Sequence, residues 1–216
     1  MDEKLKENIE KIKTLINWTN DLDATLYQVQ AQYVVAMCIF NYIETLGMFL
    51  VGYYKKDEKT DEILIDKKTD KKIKTSGRKR FEKFFKELGP EYAKLIEDVK
   101  IDIYEEFRCG FTHELIPKKY KFSVVHVGRE NNWYNKTEME KERIRKQKML
   151  DLNCSIIFDI FNKVCLIFVD ILLYDFNRAK NKLINDIENG DENLMKNFNE
   201  VSEAINLKNF ILPDEK

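Results

Sequence analysis

The sequence predicts an all-α fold, a helical bundle that carries one small β-hairpin as an insertion. Glycine and proline are scarce, with 7 and 3 copies in 216 residues, which disfavours the many tight turns of β-sandwiches and barrels. Apolar residues recur at helical spacing along most of the chain. A single segment, 119–134, instead alternates around a β-branched cluster and contains the turn-like run "GRENN", which is typical of a hairpin.

The first half of the chain is predicted to hold four helices and one exposed loop. Ser76 is placed to cap the third of these helices, and Gly89-Pro90 is placed to end it. Pro117 stops the fourth helix, because proline lacks the backbone donor that a helix needs. The predicted elements are helix 3–20, the apolar helix 23–54, the Lys- and Asp-rich loop 55–77 with "EILID" as a candidate short strand, a helix from Ser76 to Gly89, and helix 91–115.

The second half is predicted to hold the hairpin and two further helices. A long helix covers 138–188, with a break expected near residue 150 because "EMEKERIRKQK" is charged all round. A last helix covers 191–208. The predicted organisation is an N-terminal helix (1–22), a central helical domain (23–188) and a C-terminal helix with a tail (189–216).

Charge and cysteine content narrow the functional classes. The net charge is −1, whereas a protein that coats nucleic acid is usually strongly basic, so any nucleic-acid contact must be local. The four cysteines form no C-x-x-C pair, which favours free thiols in the reducing cytoplasm. Two histidines without paired cysteines do not supply a zinc site, so neither a metal nor a cofactor is expected.

Two apolar runs are long enough to be considered as membrane spans. The first, 33–54, carries Asn41 and Glu44 near its middle, and the second, 154–176, carries Asp159 and Asp170. One acidic residue at a membrane centre costs roughly 2.5–3.5 kcal/mol on insertion scales. Both runs are therefore interpreted as core helices of a soluble cytoplasmic protein. The charged opening "MDEKLKENIEKIK" does not have the pattern of a signal peptide.

The pair Arg108 and His113 lies in the run "IYEEFRCGFTHELIPKK". On an α-helix, residues five apart point about 140° away from each other around the axis, and the residue that stacks on His113 is Cys109, four before it. By pattern alone, Arg108 pairs with Glu105 and His113 stabilises the end of a helix. A thiolate–imidazolium nucleophile built from Cys109 and His113 is disfavoured, because nothing supplies an oxyanion hole.

The wider context of this pair resembles a known family. Tyr104 and Phe107, then Gly110 and the later Pro117-Lys118, accompany the pair as in the R-x4-6-H signature of the HEPN family, whose helical proteins include many ribonucleases. Two upstream segments, "FNYIETLGMFL" (40–50) and "GRKRFEKFF" (77–85), are also similar to parts of that family. The resemblance extends over about residues 30 to 178.

The resemblance implies a HEPN-like helical bundle that acts as a metal-independent endoribonuclease on RNA. It implies a homodimer in which two copies of the motif meet, with Arg108 and His113 as catalytic residues. His113 takes the proton from the RNA 2′-hydroxyl, and Arg108 binds the charged phosphoryl oxygens. Glu44, with Asn41 one turn before it, is implied to orient this pair. Such proteins serve in toxin–antitoxin pairing or antiviral defence, so an antitoxin or defence-system partner is expected.

One position departs from the family pattern and leaves alternatives open. Where the family usually carries a polar residue, most often Asn, this chain has Cys109, whose thiol is a weak donor and acceptor. The chain is then a slower nuclease, or a non-catalytic HEPN module that dimerises or binds RNA or a partner protein. A structural helical protein that matches the motif by chance is the third alternative.

Phosphate contacts are expected from two basic stretches. The run 67–80 holds eight basic residues and one acidic residue, and such runs are the first places to look for contacts with a nucleic-acid backbone. The second is the run "KERIRKQK" (141–148), and Lys118-Lys119 form a further basic pair after the histidine. The predicted RNA-binding residues are Arg78, Lys79, Arg80, Lys118 and Lys119.

Overall fold

A computed structural model describes residues 3–17, 19, 21–26, 31–97, 102–114, 121–126, 137, 139–140, 155–159 and 163–205. Its elements lie in chain order. They are α1 Glu3–Asn17, α2 Asp21–Ala24, α3 Gln32–Val51, β1 Ile65–Asp66, β2 Lys71–Lys72, α4 Gly77–Glu87, α5 Pro90–Glu97, a π-helix Tyr104–Glu114, β3 Lys121–Val125, β4 Ile156–Asp159, β5 Val164–Phe168, α6 Val169–Glu188 and α7 Glu192–Ala204.

The fold is mixed, so the prediction of an all-α bundle is wrong. Five strands form two small sheets alongside the helices in the described ranges. One sheet, the antiparallel pair β1 and β2, lies within the predicted exposed loop 55–77. The other sheet has three strands in the order β3-β5-β4 and lies where one hairpin and one long helix were predicted.

The three-stranded sheet corrects both of those predictions. Strand β3 does lie in the predicted hairpin segment, but it pairs in parallel with β5, from Lys121↔Val164 to Val125↔Phe168. Strand β4 pairs antiparallel with β5, and Lys163 takes a left-handed φ of 52° just before β5. A short apolar run that is buried on both faces has the same pattern in a strand and in a core helix. That ambiguity is why the predicted helix 138–188 fails over β4 and β5.

The helix predictions hold better elsewhere. The helix predicted over 3–20 is confirmed as α1, and Ser76 caps α4 as predicted, since its hydroxyl accepts from the Lys79 amide at 3.3 Å. Helix α3 begins at Gln32 rather than at residue 23; residues 27–30 lie outside the described part. The predicted helix 91–115 is α5 and the π-helix, with 98–101 also outside the described part.

The chain forms two compact units, each assembled from separate segments. The first contains residues 1–18, 43–84 and 180–216, and the second contains 19–42 and 85–179. In the first unit, Phe49 of α3 packs against Phe198 of α7, with ring centroids 6.1 Å apart. Gly47 lies so close to α4 that an added Cβ would be 2.0 Å from the Arg80 carbonyl oxygen. Only glycine permits this approach of two helix backbones.

The core of the second unit combines aromatic packing with a buried polar network. The Tyr92 hydroxyl donates to Asp175 Oδ2 at 2.7 Å, so the Ser155 hydroxyl, 2.5 Å away, donates to Tyr92. Asp175 is also 3.2 Å from Arg178 Nη2, which donates to the Leu88 carbonyl. Tyr92, Ser155 and Asp175 have no exposed surface. This network ties α5, the start of β4 and α6 together.

Helix α3 has the length and mean hydropathy, 1.9, of a membrane span, a test that core helices of soluble proteins also pass. It is the one such helix among the described residues. Val35, Ile39, Phe40 and Ile43 are completely buried within the protein. Of the apolar window of this helix, 44% is buried inside the protein.

Candidate functional site

The π-helix Tyr104–Glu114 carries both halves of the predicted catalytic pair. Asp102 begins it: the Asp102 carboxylate accepts from the Glu105 amide at 3.0 Å, and the Asp102 carbonyl accepts from the Glu106 amide at 2.9 Å. A carboxylate at this place satisfies backbone donors that have no partner inside the helix. A π-helix is rare, and where one occurs it is frequently at a functional site.

The wider turn changes the relation between the two predicted catalytic positions. In a π-helix the backbone hydrogen bonds join residues five apart, so positions 108 and 113 lie close to one turn apart. The expectation that they diverge by about 140°, which holds for an α-helix, is therefore wrong. The reason for needing a second protomer to bring the two positions together disappears. The side chain of His113 lies outside the described part of the structure.

Phe107 anchors the π-helix in the second unit. Its ring stacks on Phe40 with centroids 5.0 Å apart and an interplanar angle of 12°, and it packs against Phe158 at 5.7 Å. Phe107 and Phe40 are completely buried. Phe40 precedes Asn41 and Phe107 precedes Arg108, so this stack holds the backbone segments of two predicted site residues against each other.

Arg108 and Cys109 are both half-buried beside this anchor. Burial raises the pKa of the Cys109 thiol above its ordinary value, and the charge of Glu105 raises it further. The thiol therefore stays protonated at neutral pH. The thiolate, not the thiol, is the reactive form of cysteine.

The two supporting residues of α3 are both half-buried. The Asn41 side-chain amide donates to the Met37 carbonyl at 2.8 Å, one turn earlier on the same helix. This bond uses one of the two donor hydrogens of the amide. Glu44 is the one charged residue of this helix.

The predicted RNA-binding arginines are engaged in contacts within the first unit. Arg78 forms an ion pair of 3.8 Å with Glu82. Arg80 donates to the Tyr53 carbonyl at 3.1 Å, and its guanidinium lies 5.0 Å from the centre of the Tyr53 ring. Lys79 is exposed. Lys118 and Lys119 lie outside the described residues.

Sequence reasoning missed Glu106, which precedes Phe107 in the π-helix. Glu106 is only 1% exposed, although a glutamate is normally expected at the surface. The signal was available: Glu106 falls three residues after Ile103 and beside Phe107, both of which are buried. A buried carboxylate is costly unless it is hydrogen-bonded or paired, which makes Glu106 a constraint on how the π-helix packs.

Two further groups of polar side chains are sealed from substrate. The network of Tyr92, Ser155 and Asp175 has no exposed surface, so it stabilises the fold rather than binds a ligand. His126, the second histidine, lies 3.9 Å from Asp170, and the two side chains are 5% and 1% exposed. Among the described residues, no three His, Cys, Asp or Glu side chains are grouped as metal ligands are.

Comparison with protein-family models, with curated proteins and with solved structures found no match for this chain. The resemblance to the HEPN family therefore rests on the residues quoted from the sequence. A function argued from it has to be supported by the chemistry of the π-helix and by experiment.

Proposed function

We propose that this chain is a metal-independent endoribonuclease of the HEPN type. The observation that carries the proposal is the π-helix Tyr104–Glu114, in which backbone positions 108 and 113 lie one turn apart. Arg108 follows a completely buried phenylalanine, so its backbone is fixed while its side chain remains half-exposed. A rigid element beneath a half-exposed cation is the arrangement that substrate positioning requires.

The proposed reaction uses the RNA as its own nucleophile. A neutral imidazole at His113 takes the proton of a ribose 2′-hydroxyl, and the 2′-oxygen forms a bond to the adjacent phosphorus. The bond from phosphorus to the 5′-oxygen breaks, and this oxygen leaves with a proton. The products end in a 2′,3′-cyclic phosphate and a 5′-hydroxyl. Histidine suits this role because an imidazole titrates near neutral pH.

Arg108 is proposed to stabilise the transition state. As the 2′-oxygen attacks, negative charge builds on the two non-bridging phosphoryl oxygens. A guanidinium binds such a pair of oxygens with two parallel hydrogen bonds and stays charged at every physiological pH. One donor of this kind, held in place before the reaction, typically contributes about 10²–10³ in rate.

We further propose that the protein acts as a cytoplasmic homodimer. The close spacing of positions 108 and 113 means that one protomer holds a complete base and arginine pair. The second copy then contributes its own histidine at position 113, which in its protonated form gives the proton to the leaving 5′-oxygen. An antitoxin or another defence-system protein is the proposed regulator, because an unspecific ribonuclease harms its own cell.

Cys109 favours one alternative, a non-catalytic module that binds RNA or a partner protein. Its protonated thiol replaces the polar side chain that the family usually carries next to the arginine. A thiol orients an imidazole weakly, since sulfur is a weak donor and acceptor. In this alternative the protein binds RNA without cutting it.

The variants Arg108→Ala and His113→Ala test the proposal against this alternative. Each is expected to reduce cleavage of single-stranded RNA by at least about 10²-fold. Lys83→Ala, which removes an exposed cation from α4 outside the predicted RNA-binding residues, is the control and should cleave normally. Thermal melts must show that the variants remain folded. RNA that stays intact with the unmodified protein would support the binding module instead.

A further inference from the structure

The segment between α3 and α4 forms a small closed β structure in the first unit. Three backbone hydrogen bonds run in a ring: Lys55 donates to Ile73 at 2.7 Å, Ile73 to Leu64 at 2.9 Å, and Leu64 to Lys55 at 2.9 Å. Three extended segments, around residues 55, 64 and 73, thus each bond to the other two. A stretch that its composition identifies as a solvated loop is instead a fixed scaffold.

Helix α7 holds this scaffold in place. Glu200 accepts from the Tyr54 amide at 2.7 Å and forms an ion pair of 3.0 Å with Lys56, whose side chain is 15% exposed. Asn197 donates to the Phe49 carbonyl at 3.1 Å, and its side-chain oxygen lies 3.3 Å from Lys56 Nζ. The backbone that presents the outward-facing side chains is therefore preorganised.

One face of the scaffold combines two tyrosine rings with two exposed lysines. Lys72 Nζ lies 5.0 Å from the centre of the Tyr54 ring, and Lys74 Nζ lies 5.1 Å from that of Tyr53. The two rings meet edge to face with centroids 5.0 Å apart. We call this group, Tyr53, Tyr54, Lys72 and Lys74, the lysine–tyrosine face.

The charges around this face are not neutralised. Neither Lys72 nor Lys74 forms an ion pair with a carboxylate of the described residues, whereas Lys56, Lys86 and Lys196 do. Residues 53–80 hold eleven basic and six acidic side chains, a net charge of +5 in a chain whose total is −1. The segment that carries the aromatic rings is thus positively charged, although the chain as a whole is not.

We propose that the lysine–tyrosine face binds single-stranded RNA, so that it docks the substrate of the ribonuclease proposed above, on which this inference rests. A single strand offers phosphates to cations and unstacked base faces to aromatic rings, which are the two chemistries that this face provides. A double helix hides the base faces, so the rings would have no partner. The cations that contact RNA are Lys72 and Lys74 rather than Arg78 and Arg80.

Binding of a 2′-O-methyl RNA strand, which lacks the attacking hydroxyl, tests this inference by fluorescence anisotropy over a series of salt concentrations. Lys72→Gln with Lys74→Gln should weaken binding about tenfold. The slope of log K against log salt should fall by about 1.4, since each phosphate contact of a single strand contributes about 0.7. The control pair Lys6→Gln with Lys94→Gln removes the same charge from exposed positions elsewhere and should change neither value.

A second pair of variants isolates stacking. Tyr54→Leu should weaken binding about tenfold, a typical loss for one stacked base, while Tyr54→Phe keeps the ring and should bind normally. Lys72→Arg with Lys74→Arg should restore binding and the salt slope, which excludes misfolding as the cause of the first result. Equal binding by the Gln pair and its control, or equal affinity for duplex RNA, would overturn the inference. So would stronger binding to anionic phospholipid vesicles than to RNA.

Cleavage and binding separate the two proposals. If the protein binds RNA through this face but cuts none, the docking surface stands and the ribonuclease proposal fails. If the Lys72→Gln, Lys74→Gln protein binds and cuts RNA like the unmodified protein, the ribonuclease proposal stands and the docking surface is overturned.

Discussion

At Cys109 the sequence departs from the HEPN pattern, because a thiol is a weaker hydrogen-bonding group than the polar side chain usual at this position. Cys109 lies between Arg108, which suits a phosphoryl charge, and Gly110, which is buried in the π-helix. Burial raises the pKa of its thiol, so it provides neither a charge nor a strong hydrogen bond at neutral pH. Its neighbour Phe107 explains why the position still matters, because the aromatic stack fixes the backbone at this point of the helix.

Cys109→Asn is therefore predicted to raise the rate of RNA cleavage. The amide can donate to and accept from neighbouring groups, so it can orient an imidazole as the family's usual residue does. We expect a severalfold increase in kcat with little change in KM, measured by steady-state cleavage of one single-stranded RNA. Cys109→Ala is the control, since it removes the thiol without adding an amide. Equal rates for the Asn and Ala variants would show that the position does not orient the histidine.

Among the elements, the close approach of α3 and α4 depends on one glycine, Gly47. An alanine at Gly47 would favour the helix by about 1 kcal/mol through its propensity. Its Cβ would, however, lie 2.0 Å from a backbone carbonyl oxygen of α4, and the backbone cannot move aside as a flexible side chain can. The clash wins, because overpacking typically costs 1–3 kcal/mol, and sometimes more.

Gly47→Ala is accordingly predicted to lower the free energy of unfolding by about 2 kcal/mol, the difference between an overpacking cost of about 3 kcal/mol and a propensity gain of about 1 kcal/mol, as measured by urea denaturation. Val34→Ala, at an exposed position of the same helix, should change it by less than about 0.5 kcal/mol. An increase in stability for Gly47→Ala would mean that α3 and α4 do not approach each other in this way.

The small β structure contains two turns with nearly the same five-residue sequence. "DEKTD" (57–61) and "DKKTD" (66–70) form equivalent turns. In each, the first aspartate accepts from two backbone amides, at 2.9 and 3.0 Å in one turn and 2.8 and 3.0 Å in the other. In each, the last aspartate has a positive φ, of 57° and 54°. Asparagine and aspartate tolerate this conformation and form such turns readily.

The stability of these two turns is expected to fall as the pH is lowered. Backbone hydrogen bonds, from Lys59 and Thr60 to Asp57 and from Lys68 and Thr69 to Asp66, lower the pKa of each carboxyl in the folded state. The ionised forms therefore support the turns at neutral pH, and this support is lost as the pH falls below about 4. Carboxyl chemical shifts should give both aspartates a pKa below the ordinary value. Ordinary values would show that the turns do not form in solution.

At the scale of the whole molecule, the sequence predicts helices well and sheets poorly. Spacing and capping identified α1 and the start of α4, because these signals are local. Strands β4 and β5 were missed, since their apolar run fits a core helix equally well and only the pairing with β3 decides between them. The spacing of apolar residues within a segment does not show which distant strand that segment pairs with.

The candidate site was predictable to a similar extent. The residue types of the pair came from the sequence, but their spacing was misjudged, because the pattern gives no sign that this helix has π-type hydrogen bonds. Lys72 and Lys74 lie in the run 67–80, from which phosphate contacts were expected, but Glu106 and the two tyrosine rings beside these lysines were missed. These residues have charged neighbours in sequence, and their burial or clustering arises only when distant segments pack.

The ends of the RNA fragments that the protein produces decide whether a 2′-hydroxyl is the nucleophile. A 5′-labelled single strand is incubated with the protein in excess chelator, and the 3′ ends of the fragments are mapped chemically. A second strand carries one deoxyribose at the principal cleavage position, which removes the 2′-hydroxyl there and nowhere else. Attack by the 2′-hydroxyl without a metal gives 2′,3′-cyclic phosphate ends with chelator present and no cleavage at the deoxyribose. Fragments ending in a 3′-hydroxyl, loss of activity with chelator, or cleavage at the deoxyribose would contradict this mechanism.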